Sequence, residues 1–110
     1  KVSKQKNVCL KLGGAQQRVN DWEPTFHRNQ RPRPISSDEL CERLGKYYVK
    51  AIELFGIERC MFESNFPVDK ECVSYRTIWN FFKKIAHNLK LSEAEKGQIF
   101  SGTAKSVYQL

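Results

Sequence analysis

Residues Cys60 to Lys70 read CMFESNFPVDK, an apolar run that turns polar at Glu63, Ser64 and Asn65, meets a proline, and continues to Asp69. A carboxylate can take up or deliver a proton, and an amide can orient a water molecule or a carbonyl group. A strand that gathers such groups before a rigid turn suits the rim of an active site. Glu63, Asn65 and Asp69 are therefore the candidate catalytic residues. For Asp69 there is a plainer alternative, since an aspartate after a proline commonly hydrogen-bonds its own turn.

A second group lies in the polar stretch from Ala15 to Ile35, where Trp22, Phe26 and His27 stand beside Arg28 and Arg31. Arginine forks match carboxylates, so His27, Arg28 and Arg31 are candidates for holding an anionic or carboxylated small molecule. The competing reading is an ordinary polar surface loop. Pro24, Pro32 and Pro34 break any regular pattern in this stretch. A loop of this length inside a compact domain tends to be functional or disordered. His87 falls in a helical pattern, where a surface or core-edge position is the simpler account.

The elements that must position these groups follow in order. Asn7 to Leu12 reads as a short strand closed by Gly13 and Gly14, which permit a sharp turn or close backbone approach. Ser36 and Glu39 have capping-box spacing. Leu40, Leu44, Tyr47, Tyr48, Ala51, Ile52 and Phe55 then recur at helical spacing up to Gly56, a natural helix stop. Arg59 to Glu63 is a second strand. Ser74 opens another amphipathic helix carrying Ile78, Trp79, Phe82, Ile85 and Leu89, and Ser92 with Glu95 starts a short one through Phe100. Gly102 is expected to break it before a final helical segment from Ala104 to Leu110 carrying Val107, Tyr108 and Leu110. Strands alternating with helices predict an α/β fold with parallel pairing through a crossover. Two strands alone cannot make a parallel sheet covered on both faces.

A chain of 110 residues is normally one small domain, and 40% hydrophobic with 28% charged residues is ordinary globular composition. The formal net charge is +7, but the basic residues are dispersed and accompany no RNA-binding, zinc-finger or basic-zipper signature. A solvated basic surface is expected and no nucleic-acid partner. No apolar run approaches the roughly 20 residues that cross a bilayer. With no signal peptide, a cytoplasmic protein without a membrane partner is expected. Cys9, Cys41, Cys60 and Cys72 lack the close pairing of zinc ligands, so no metal ligand is assigned. They are expected to be reduced thiols, with disulfides the alternative, and Cys9 and Cys60 to behave as small core residues.

The stretch FGIERCMFESNFPVDK, with NVCLKLGG upstream and LSEAEKGQIFSGTAKSVYQL at the end, resembles the carboxy-terminal part of the amidohydrolase-related family. These are (β/α)8-barrel hydrolases and decarboxylases. Relatives read like N-V-x-V-K-L-S-G on strand seven and F-G-P-x-R-x-M-F-G-S-D-W-P-V across strand eight. The resemblance covers nearly all of residues 1–110. It implies a C-terminal portion of a (β/α)8 TIM barrel: parallel strands seven and eight plus helices, an incomplete barrel of a fold that needs about 250 residues. The N-terminal part of the same barrel would be the missing partner, and it would hold the family's metal-binding histidines.

By this resemblance the cofactor would be a divalent metal, zinc or manganese. One departure bears on it: many relatives have an aspartate where this chain has Asn65, and an amide binds divalent metal far more weakly and takes up no proton at neutral pH. A sub-branch of the family is similar to this chain in reading S-N-F-P-V-D. If Asn65 takes the inward aspartate's place, strand alternation turns Glu63 and Met61 into the barrel as well. On the preceding strand Val8, Leu10 and Leu12 would face the helices, leaving Cys9 and Lys11 inward. Lys11 and Glu63 are then expected to pair, so that Lys11 holds a substrate carboxylate or Glu63 moves a proton. A purely structural ion pair is the alternative. The implied function is hydrolysis of an ester, lactone or amide, or a related decarboxylation, by a complete barrel. The isolated chain is expected to be inactive. A non-catalytic remnant or interaction module is the competing function.

Overall fold

The computed structural model describes residues 2–17 and 28–110. Strand β1 (Leu10–Leu12) pairs in parallel with β2 (Cys60–Phe62), matching Leu10 with Cys60, Lys11 with Met61 and Leu12 with Phe62. The ladder runs one step further, because the Glu63 amide donates to the Leu12 carbonyl at 3.1 Å. Regular pairing is shorter than the expected strand from Asn7, which becomes extended only at Leu10. Arg59 secures that approach. Its guanidinium donates to the carbonyls of Ser3, Gln5 and Val8 at 2.9, 2.7 and 3.3 Å, fastening the segment before β1 to the start of β2.

Helix α1 (Ser37–Phe55) carries the chain from β1 to β2. Its orphan N-terminal amides are met by Ser36, whose hydroxyl accepts from Glu39 N at 3.1 Å, and Gly56 ends it at φ 82° with its amide on the Ile52 carbonyl. The reciprocal half of the expected capping box is not made here. The Glu39 carboxylate instead faces Arg31 at 2.6 Å and Arg43 at 3.1 Å, charged partners that outcompete a backbone amide. Helix α2 (Tyr75–Asn88) is capped by Ser74 in the same way.

Helix α3 (Glu93–Gly97) does carry both halves of its box, between Ser92 and Glu95. Contrary to expectation Gly102 does not end the helical path. The turn widens into a π-helical stretch over Gln98–Gly102 and runs straight into α4 (Thr103–Tyr108). The missing Cβ leaves room for the Gln98 side chain within this turn. One built on Gly102 would lie 2.7 Å from Gln98 Oε1, and Gln98 uses that space to donate to Thr103 Oγ1 at 3.0 Å.

One face of the two-stranded sheet builds the core. Leu12, Cys60 and Phe62 pack with Leu40, Leu44, Tyr48 and Ile52 of α1, with Ile78, Phe81, Phe82 and Ile85 of α2, and with Ile99. Phe82 is central: it stacks on Phe62 with centroids 4.5 Å apart and meets Trp79 edge-on at 5.4 Å. Met61 is also buried but stands apart from this cluster, as strand alternation requires. Cys60 belongs to the core as expected, whereas Cys9 is exposed, because the chain before Leu10 lies outside the packed layer. All four cysteines are free thiols. Among the described residues no helix is long and apolar enough to cross a membrane.

Truncating Phe82 to alanine removes the ring that joins sheet to helices, at an expected cost of about 3–5 kcal/mol. Urea titration of the variant should show that loss as a lowered midpoint; a loss below about 1 kcal/mol would place Phe82 outside the core.

Candidate functional site

The parallel register puts Lys11 and Glu63 on the face of the sheet opposite the core. Lys11 Nζ lies 2.7 Å from Glu63 Oε2, with side chains 49% and 29% exposed. The hydrogen bond and the nearby charge of Glu63 raise the Lys11 ammonium above its ordinary value, so it stays protonated at physiological pH; the Tyr108 hydroxyl adds in the same sense. The two residues expected to meet across neighbouring strands do meet.

Just beyond the strands the chain passes through a turn built for close approach. A Cβ on Gly13 would sit 2.4 Å from both the side chain and the carbonyl oxygen of Glu63. Gly14, at φ 71°, lies directly against the Asn65 amide. Asn65 itself adopts φ 54°, a left-handed conformation that asparagine tolerates better than most residues. The Phe66–Pro67 peptide is cis, and Val68–Glu71 forms a short 3-10 turn whose Asp69 amide donates to the Asn65 carbonyl at 3.1 Å.

Asp69 is wholly buried in this turn. Its Oδ1 accepts from Asn65 Nδ2 at 2.8 Å and from Gln17 Nε2 at 3.1 Å, and its Oδ2 accepts from Gln16 Nε2. Burial raises its pKa above the usual carboxylate value, while the three amide donors act the other way. The carboxylate thus ties the loop after β1 to the loop after β2. Sequence reasoning found Asp69 and Asn65 but not Gln16 or Gln17. Nothing in their spacing marks them; only the proximity of the two strand ends does.

The remaining candidates are distributed differently. Arg31 is engaged with Glu39 and with the Arg33 carbonyl at the start of α1. The side chain of Arg28 and all of His27 lie outside the described residues. His87 is exposed in the last turn of α2. No thiol is poised as a nucleophile at this site. Cys60 is pushed up to about 11 by burial, and Cys72, which is buried beside the Gln16 carbonyl, is raised for the same reason.

Among the described residues no group of three or more histidine, cysteine, aspartate or glutamate side chains could hold a metal ion. The donor chemistry agrees: Asp69 is occupied by amides, Glu63 by Lys11, and Asn65 turns its nitrogen to Asp69. These residues alone do not fit a zinc or manganese centre.

Two outcomes follow from this geometry. Gly13→Ala should cost about 1–3 kcal/mol by overpacking against Glu63, read by urea titration, and a neutral result would mean that the strand ends are further apart. The raised Lys11 pKa makes its share of stability complete below the ordinary lysine value and lost as pH climbs through the raised one. Because the pair is half exposed, that share is below about 1 kcal/mol. Glu63→Gln should return Lys11 toward its ordinary value, followed by NMR of the ammonium nitrogen; an unchanged titration would mean the pair is not formed.

Comparison with known proteins bears on this arrangement. The family model described as amidohydrolase matches residues 1–110. An uncharacterized protein, y4mH, of Sinorhizobium fredii (strain NBRC 101917 / NGR234) is 44% identical over 69 residues, which are 63% of this chain and 23% of y4mH. Crystal structures of an amidohydrolase from Burkholderia multivorans, one with bound HEPES and one with bound zinc, superpose with TM-score 0.78 at 26% identity. Each superposition covers 99% of this chain and 34% of that one, so the chain spans about a third or less of these relatives' lengths. The mixed fold with two parallel strands matches part of an amidohydrolase TIM barrel. With the family model matching over the whole length and the fold shared, this chain belongs to the amidohydrolase family.

Proposed function

We propose that the chain supplies the last two strands, seven and eight, of a (β/α)8 barrel hydrolase acting on an ester, lactone, amide or carboxylated small molecule. The observation that carries this reading is the gathering of Lys11, Glu63 and Asn65 at the carboxyl ends of two parallel strands, on or beside the face that the core does not use. Active sites of this barrel fold lie at that end of the strands. Strand β1 and β2 would then take neighbours from an N-terminal part of the same barrel, in keeping with the share of the Burkholderia structure that the chain spans.

In this scheme each side chain has a task that its surroundings suit. Lys11, held protonated by Glu63, binds the carboxylate of an anionic substrate and releases part of its hold on Glu63 in doing so. Glu63 is then the partly exposed carboxylate able to accept a proton from an attacking water. Asn65 orients that water or the substrate through its amide. His27, Arg28 and Arg31 come from the stretch of sequence between β1 and α1 and contribute further contacts to an anionic substrate. Any metal of the whole barrel would take its ligands from other strands, since this chain's described residues build no such set.

The experiment is hydrolysis of 4-nitrophenyl acetate and γ-butyrolactone by the chain joined to the N-terminal part of its barrel, compared with the 110 residues alone. Turnover only by the joined form, lowered about 100-fold in kcat/KM by Asn65→Ala with the fold intact, supports the reading. A folded barrel without turnover, or one indifferent to Asn65→Ala and Glu63→Gln, would favour a non-catalytic interaction module instead.

A further inference from the structure

The arrangement around Asp69 contains more than a structural tie. A carboxylate can only accept hydrogen bonds when ionised, so every amide that touches it must present its nitrogen. Three do: Gln16, Gln17 and Asn65. At Gln16 the consequence is visible as a penalty, because its Oε1 is buried and has no hydrogen-bond partner among the described residues. An amide free to rotate would not leave its better acceptor stranded in that way. The orientation of these amides is therefore dictated by the carboxylate and not by their other surroundings.

The same rule applied to Asn65 fixes which end of its amide is left for a ligand. We infer that Asp69 is a positioning residue which, with Gln16 and Gln17, locks Asn65 so that it meets its ligand with Oδ1, an acceptor for a hydroxyl, an N–H or a water molecule.

The lock has three supports besides the 2.8 Å contact with Asp69. Asn65 is held in a left-handed backbone conformation, its carbonyl accepts from the Asp69 amide, and Gly14 closes against the nitrogen end of its side chain. Asp69 itself cannot reach a substrate: it is fully buried, and both acceptor sites of Oδ1 are taken. Proton transfer at this site consequently falls to the partly exposed Glu63, and Asp69 acts only through Asn65. A ligand that offers a carboxylate at Asn65 would face an oxygen and be repelled, whereas one that offers a carboxylate at Lys11 would find a cation. The site thus selects a substrate, or a substrate with its water, that carries both a hydrogen-bond donor and an anionic group.

This inference rests on the reading of Asn65 as substrate-facing, and its test separates the two. The first measurement needs no activity. In the wild-type chain, the side-chain amide signals of Gln16, Gln17 and Asn65 should titrate together with the Asp69 carboxyl carbon, at a pH above the ordinary aspartate value. In Asp69→Asn that shared titration should vanish. Asn65 signals that ignore Asp69 protonation would overturn the lock, whatever the protein catalyses. The wild-type titration decides this even if the variant does not fold. The second measurement uses the joined barrel with 4-nitrophenyl acetate. Asp69→Asn should lower kcat/KM about tenfold, and combining it with Asn65→Ala should add less than threefold to the loss from Asn65→Ala alone. Multiplying losses would overturn an action through Asn65. Absent turnover with an intact amide titration would count against the hydrolase reading while upholding the lock.

Discussion

Everything at this site depends on two three-residue strands lying parallel in one register. Strand alternation then does the sorting. Leu12, Cys60 and Phe62 go to the helices, and Lys11 with Glu63 go to the other face, where each charge has the other as its partner. A slip of one residue would send the lysine into an apolar core, where an unpaired ammonium is very costly. The register is held from both ends. Arg59 grips three carbonyls ahead of β1, and Gly13 lets the chain after β1 come into contact with Glu63. Packing of Phe62 against Phe82 fixes the layer beneath.

The second organising group is a buried carboxylate, Asp69, with no cationic partner among the described residues. Asp69 is desolvated, which disfavours its charge, yet it gains three amide donors drawn from two loops. Burial and hydrogen bonding oppose one another here, and the net raised pKa says that burial prevails. Such an arrangement carries a desolvation cost that an apolar filling of the same space would not. Its effect is geometric: the strand ends are joined, and their amides are turned one way. That division of labour, an exposed ion pair for charge and a buried carboxylate for orientation, is what distinguishes Glu63 from Asp69, which look alike in the sequence.

Much of the fold was legible because its signals are local. The serines at positions 36, 74 and 92 each cap a helix, Gly56 ends one, and the apolar spacing of α1 and α2 marks their buried faces. The Lys11–Glu63 pair was legible too, through alternation and a resemblance that made the strands neighbours. What escaped notice depends on contacts distant in the chain. Gln16 and Gln17 matter only because a residue more than fifty positions away turns back to them. Glu39 abandons half of its capping box for Arg31 and Arg43. Gly102 was misread because glycine usually interrupts a helix, whereas here its missing side chain makes room for Gln98 inside a widened turn. Cys9 looked apolar by its neighbours and is exposed because the pairing starts one residue later.

The claim under all of these is the pairing beyond β2, in which the Glu63 amide reaches the Leu12 carbonyl at 3.1 Å. Scalar coupling across that hydrogen bond, from the Glu63 amide nitrogen to the Leu12 carbonyl carbon, reports it without reference to any activity. The account predicts a resolvable coupling between those two nuclei. A coupling from Glu63 to a different carbonyl, or cross-strand contacts of antiparallel pattern, would contradict it.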